Sequence, residues 1–175
     1  IVMRLVGSEM CIRDRVMTDS DWANCLQTRR STSGGIVFNG WHTIHWWCKL
    51  QPRVAQSSCE AELNALNKGG QEGRFAQGIA LDFGEDPSLE LKTDASAARG
   101  VILRHGVGKI KHLQLKQLWL QECVEEGELV VTKIPRSGNL ADALTHPWTA
   151  KDLPFWDGMG LKFIPTPIQA RQRAY

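Results

Sequence analysis

Four carboxylates, Asp19, Glu62, Asp94 and Asp142, each stand where a predicted strand ends or a predicted helix begins, against apolar sequence. Acids of a solvated face scatter through polar stretches, whereas these recur at junctions, where separate elements can aim them at one point. Carboxylates that converge in this way supply the oxygen ligands required by a hard divalent cation such as Mg²⁺. Singly, each acid has an ordinary structural use. Asp94 can cap the Ala-rich helix behind it, and Asp142, shortly after a possible Asn139 cap, suits the positive end of a helix dipole. Together, their recurrence at element ends points to a joint metal site.

The elements that must position them follow from local patterns. Residues 16–19 form a short extended run that leads into Asp21 and Trp22. Residues 36–38 and 43–47 flank Asn39-Gly40, a dipeptide suited to the positive φ of a hairpin turn. Ser57 and Glu60 have the spacing of a capping box, which opens a helix to about Gly69 or beyond. A strand over 89–93, a helix over 95–103, a helix over 113–126 stopped by Gly127, a strand over 129–134 and a helix over 140–145 complete the series. A hairpin followed by alternating β and α units predicts a mixed sheet with helices on its faces.

Helix geometry separates Glu60 from Glu62, since residues two apart point about 200° apart. Cys59, Leu63, Leu66 and Gly70 make the apolar stripe. Glu62 borders it beside the small residues Ala65 and Gly69, which would let the helix approach a strand end closely. Glu60 shares a polar face with Asn64 and Asn67. Glu62 is therefore the ligand and Glu60 the solvated cap. Asp19 and Asp21 point to the same face of an extended strand, so alternation leaves both open. Asp19 is favoured as the one nearer the apolar run.

With 175 residues, 42% hydrophobic and 23% charged, the chain is sized for one domain with a sizeable core. The net charge of +2 alone establishes no anionic partner. Its distribution says more, because no acid falls between Asp94 and Glu122, while Arg99, Arg104, Lys109, Lys111 and Lys116 all do, with His105 and His112. Five cysteines without a C-x-x-C pair indicate neither zinc nor a disulfide framework, and read as thiols of a reducing compartment. No run is long enough to span a bilayer, so an intracellular protein is expected. Residues 6–15, VGSEMCIRDR, resemble translated adapter read-through, which sets residues 1–15 apart from the fold and starts the domain near Val16.

The segments TDSDWANC, RRSTSGGIVFNG, SSCEAELNAL, LKTDASAARG, KIKHLQLKQLWLQE and IPRSGNLADALTH resemble, in order, the ribonuclease H domain of copia-type LTR retrotransposon polyproteins. RRSTSGG, SSCEAE and NLADALT at these relative positions form a specific signature. The resemblance implies a ribonuclease H-like α/β fold over residues 16–157, followed by a tail over 158–175. Its mixed sheet would have five strands, the first three antiparallel, with helices on both faces. It further implies an endonuclease that cleaves the RNA strand of RNA/DNA hybrids during reverse transcription. The family's catalytic and metal-binding acids fall on Asp19, Glu62, Asp94 and Asp142, which would hold two Mg²⁺ ions, or Mn²⁺.

Under the same resemblance, Arg104, Lys109, Lys111, His112 and Lys116 become phosphate contacts. The partners would be the hybrid and an upstream reverse transcriptase domain, in a cytoplasmic virus-like particle and without a membrane. Cellular type 1 enzymes of this fold carry a mobile histidine in the loop before the last acid, and residues 135–141 hold none. His146 follows Asp142 and is not assigned that role. The competing readings are a catalytically inactive nucleic-acid-binding remnant and an integrase-type nuclease of the same fold.

Overall fold

The computed structural model describes residues 13–40, 42–104, 106, 108 and 118–146. Five strands, β1 (Arg13–Ser20), β2 (Thr32–Asn39), β3 (His42–Leu50), β4 (Ser88–Thr93) and β5 (Leu129–Lys133), form one sheet in the order β3-β2-β1-β4-β5. β1, β2 and β3 pair antiparallel, and β4 is parallel to both β1 and β5. This is the mixed sheet that the resemblance implies. β1 lies at its centre, paired on both sides and covered on both faces. Val16 joins a core with Leu63, Leu66, Leu89 and Leu91, while the next residue, Met17, joins a second core with Ile36, Phe38, Ala141 and Leu144. A strand buried on both faces needs consecutive apolar residues rather than an alternating pattern, which Val16 and Met17 supply.

Among the described residues three α-helices pack against the sheet: α1 (Ser58–Asp82), α2 (Ser96–Ile102) and α3 (Trp119–Glu125). Ser57 caps α1, its side chain accepting from the Glu60 N–H at 3.2 Å. The Glu60 carboxylate turns back onto the Gln56 N–H at 2.7 Å, one residue earlier than the expected capping box would place it. α1 runs through Gly69, Gly70 and Gly73 because those positions pack closely. A Cβ on Gly69 would overlap Thr18 Cγ2, and one on Gly73 would lie 2.7 Å from Leu89 Cδ1 and 2.9 Å from Val16 Cγ2. Among the described residues no helix is long and apolar enough to cross a membrane.

Two local expectations change. Asn39 is the last residue of β2 and pairs with His42, with a register shift between Val37 and Phe38, so Asn39 belongs to the strand rather than to the turn. Gly40 takes the positive φ, +55°. The helix expected over 140–145 is a 3₁₀ helix, Leu140–Leu144, preceded by a 3₁₀ turn, Arg136–Gly138. Of the helix expected over 113–126, residues 113–117 lie outside the described residues.

β1 begins at Arg13, within the segment that the sequence sets apart. Asp14 there is fully buried, and neither carboxylate oxygen has a hydrogen-bond partner among the described residues. Burial, helped by the charge of Glu85, raises its pKa from the ordinary value. An unpaired buried polar group costs about 1–3 kcal/mol. Asp14→Val is therefore expected to raise the melting temperature. Because the folded pKa lies above the unfolded one, the cost of the charged form is absent below the ordinary value of 3.8, grows as pH rises from there and is complete above the raised value. The gain should then be larger at pH 7 than at pH 4, and a variant that melts lower at pH 7 would refute this account of Asp14.

Candidate active site

β1 and β4 are neighbouring parallel strands, so their C-terminal ends lie at the same edge of the sheet, where open α/β sheets build their sites. Asp19 is the penultimate residue of β1, and Asp94 directly follows β4. Glu62 lies in the second turn of α1, and Asp142 in the 3₁₀ helix on the opposite face. That helix comes close because Gly34 of β2 has no side chain. A Cβ there would stand 2.8 Å from Leu144 Cβ and 3.3 Å from the Ala141 carbonyl. Its neighbour Gly35 leaves space on the other face for the Trp47 ring. The glycine pair of RRSTSGG thus has a steric reason.

Asp19 and Glu62 feel the charges of neighbouring acids. Asp19, 6% exposed, is pushed up to about 6 by burial; the Thr145 hydroxyl, which donates to Oδ2, and the charge of Arg136 oppose the rise, and Asp94 and Asp142 add to it. Glu62 is pushed up to about 8 by burial first and by the charges of Asp19 and Asp94 next, with Ser20 working against them. Its buried Oε2 has no hydrogen-bond partner among the described residues. An orphaned buried carboxylate oxygen, mutual repulsion and a set of hard oxygen donors fit a divalent cation, which would favour every acid ionised. Among the described residues, however, no three His, Cys, Asp or Glu side chains stand at metal-ligand spacing.

Asp142 explains part of that gap, since it is engaged elsewhere. Arg136 donates to Asp142 Oδ1 from Nε at 3.3 Å and from Nη2 at 3.2 Å, and His146 Nδ1 lies 3.8 Å from Oδ2. Asp21 and Glu60 both have structural uses, because Asp21 Oδ1 accepts from the Thr32 N–H and Glu60 holds the start of α1. Trp22 remains 55% exposed, with Nε1 donating to the Ala55 carbonyl at 3.2 Å.

Three residues that sequence reasoning did not assign to the site stand within it: Arg136, Asn139 and Thr145. All belong to IPRSGNLADALTH, and Arg136 lies in the histidine-free loop, residues 135–141, before the last acid. Of the basic stripe, Arg99 donates from Nε to the Val131 carbonyl at 3.1 Å, which ties α2 to β5. Arg104 comes near Cys59 at the start of α1, where its charge opposes the rise that burial imposes on the thiol. Lys109, Lys111, His112 and Lys116 lie outside the described residues.

The folded pKa of Glu62, about 8, exceeds its ordinary value of 4.5. The penalty is absent below the ordinary value and complete above the folded one, so without metal the protein loses stability as pH rises between them. Glu62→Gln should remove that loss. In chelator the variant is expected to melt above the wild type at pH 8.5 and close to it at pH 4.5. Parallel melting curves at the two pH values would contradict the charge burial deduced for Glu62.

No protein-family model matches the chain. It is 32% identical over 135 residues to the retrovirus-related Pol polyprotein from transposon TNT 1-94 of Nicotiana tabacum, covering 73% of this chain and 10% of the polyprotein. To the corresponding polyprotein from transposon RE2 of Arabidopsis thaliana it is 29% identical over 133 residues, covering 74% of this chain and 9% of the polyprotein. The chain therefore spans about a tenth of the length of these relatives. Solved structures share its fold at low identity. LC11-RNase H1, isolated from compost, matches with a TM-score of 0.59 and 19% identity over 75% of this chain and 91% of that one. RNase H1 of Halobacterium salinarum matches with a TM-score of 0.54 and 21% identity over 75% and 93%. Sequence kinship and strand order together make the chain a ribonuclease H-like domain of the retrovirus-related Pol polyprotein family of copia-type transposons.

Proposed function

We propose that this domain is a divalent-metal-dependent endonuclease that hydrolyses the RNA strand of RNA/DNA hybrids formed when its transposon is reverse transcribed. The observation that carries this reading is the pair of buried Asp19 and half-buried Glu62, both held above the ordinary carboxylate range and both within electrostatic reach of Asp94. An RNase H1 of the same fold has been solved with an RNA/DNA hybrid, with a TM-score of 0.52 and 21% identity.

Asp19, rather than the engaged Asp21, would hold Mg²⁺ together with Glu62, Asp94 and Asp142. When bound, a pair of such ions supplies Lewis acidity at the attacking water and at the leaving oxygen. The chain's own residues prepare that site. Thr145 restrains the Asp19 carboxylate through Oδ2. Glu62 keeps a proton in the metal-free protein near neutral pH and releases it on ligation. Arg136, whose side chain is 78% exposed, offers its guanidinium to a backbone phosphate that displaces it from Asp142. In the reaction the water oxygen bonds to phosphorus as the P–O3′ bond breaks, the attacking water gives one proton to solvent, and the departing O3′ takes one proton from solvent. The products are a 3′-hydroxyl and a 5′-phosphate. Selectivity for RNA comes from 2′-hydroxyl contacts across the minor groove, and Arg104 with Lys109, Lys111, His112 and Lys116 holds phosphates with little sequence preference.

Purified protein is expected to cleave the RNA strand of an end-labelled RNA/DNA hybrid in Mg²⁺ and to stop in chelator. Asp94→Asn should lower the rate by roughly 10²–10³-fold or more. Hybrid binding without cleavage would sink the enzymatic reading in favour of an inactive binding remnant. Cleavage of duplex DNA in its place would favour an integrase-type nuclease, and full activity in Asp94→Asn would remove that residue from the site. Arg136→Ala should weaken hybrid binding and reduce its salt dependence, measured as KM against ionic strength; an unchanged salt slope would exclude a phosphate contact.

A further inference from the structure

We infer that Asn139 is the positioning residue of this site, the side chain that locks the acids of β1, β4 and the 3₁₀ helix into one unit and thereby sets the affinity for the divalent cation. The inference rests on the metal reading above. Asn139 is 2% exposed. Its Nδ2 donates to the Thr18 carbonyl at 3.0 Å and to Asp94 Oδ1 at 3.2 Å. Its Oδ1 accepts from the Ala141 N–H at 3.2 Å, and its backbone carbonyl accepts from the Asp142 N–H at 3.1 Å.

Each bond reaches an element that carries an acid. Thr18 immediately precedes Asp19, Asp94 follows β4, and Ala141 adjoins Asp142. A primary amide suits this position because it presents two donors and an acceptor from one planar group. Aspartate would lack the donors, while lysine or arginine would neutralise Asp94 instead of orienting it. The bond to Asp94 uses one carboxylate oxygen and leaves the residue its charge. Arg136, by contrast, hydrogen-bonds Asp142 alone of the four acids, through an exposed side chain. The asparagine cap noted in the sequence is thus half of the residue's role, the other half being its amide donors.

Groups that orient metal ligands typically contribute 10–100-fold to metal affinity. Asn139→Ser separates the two roles, since serine retains a capping acceptor but has no NH₂ group to span β1 and β4. Mn²⁺ binding is measured by calorimetry, and thermal stability is measured in chelator. The comparison variant is Leu129→Ala, a buried β5 residue whose loss destabilises the core without touching the acids. The expected result is Mn²⁺ binding weakened about 10–100-fold in Asn139→Ser and near wild type in Leu129→Ala at comparable or greater loss of melting temperature. Asn139→Thr carries the same comparison if the serine variant does not fold. Wild-type Mn²⁺ affinity in the Asn139 variant, or equal weakening in both variants, overturns the positioning role while the metal reading stands. A wild-type chain that binds no Mn²⁺ overturns the metal reading and this role together.

Discussion

The approach of α1 to β1 governs the rest of the molecule. Glu62, Ala65, Gly69 and Gly73 recur at helical spacing and share one face, and along that face Gly69 and Gly73 meet Thr18, Val16 and Leu89 with no space for a Cβ. The helix can therefore lie against the strand, which carries Glu62 to the strand end where Asp19 emerges. A larger side chain at either glycine would lift the helix and part the two acids. The opposite face repeats the device with different elements, because Gly34 admits the 3₁₀ helix that bears Asp142. Two glycine-lined seams thus direct acids from both faces of the sheet toward one edge.

That convergence opposes stability locally. Carboxylates buried beside one another repel and lose hydration, and the raised pKa values of Asp19 and Glu62 express both effects. Thr145 and Arg136 compensate only in part. A natural sequence tolerates such a conflict where function needs it and where the surroundings over-determine the geometry. Here the surroundings are a central strand covered on both faces and a long helix bound closely to it.

Much of this was legible from pattern alone. The capping signal at Ser57, the order of strands and helices, and the capping role of Glu60 follow from local helical and strand patterns. The features that pattern left open depend on contacts it does not show. Asn39-Gly40 satisfies the turn rule, yet Asn39 is still paired, with His42, as the last residue of β2. Gly69 and Gly70 read as a possible helix end because their packing against β1 and Leu120 is invisible in sequence. Asp19 and Asp21 looked equivalent by alternation, whereas β1 stops at Ser20 and the chain turns to set Asp21 against Thr32. Asn139 and Thr145 were legible as local residues, but their bonds to the end of β1 were not.

Those last bonds also bear on how the protein comes to be folded. Asn139 meets Thr18 across 121 residues and Thr145 meets Asp19 across 126, so the site is closed by contacts between the two ends of the described chain. Contacts of such separation form late, after most of the chain's entropy has been lost. During synthesis the sheet's first three strands and α1 leave the ribosome well before the segment that restrains Asp19 and contacts Asp94. A truncated or newly emerging chain would present Asp19 and Glu62 without these partners, leaving the acids close but unorganised until the last segment arrives.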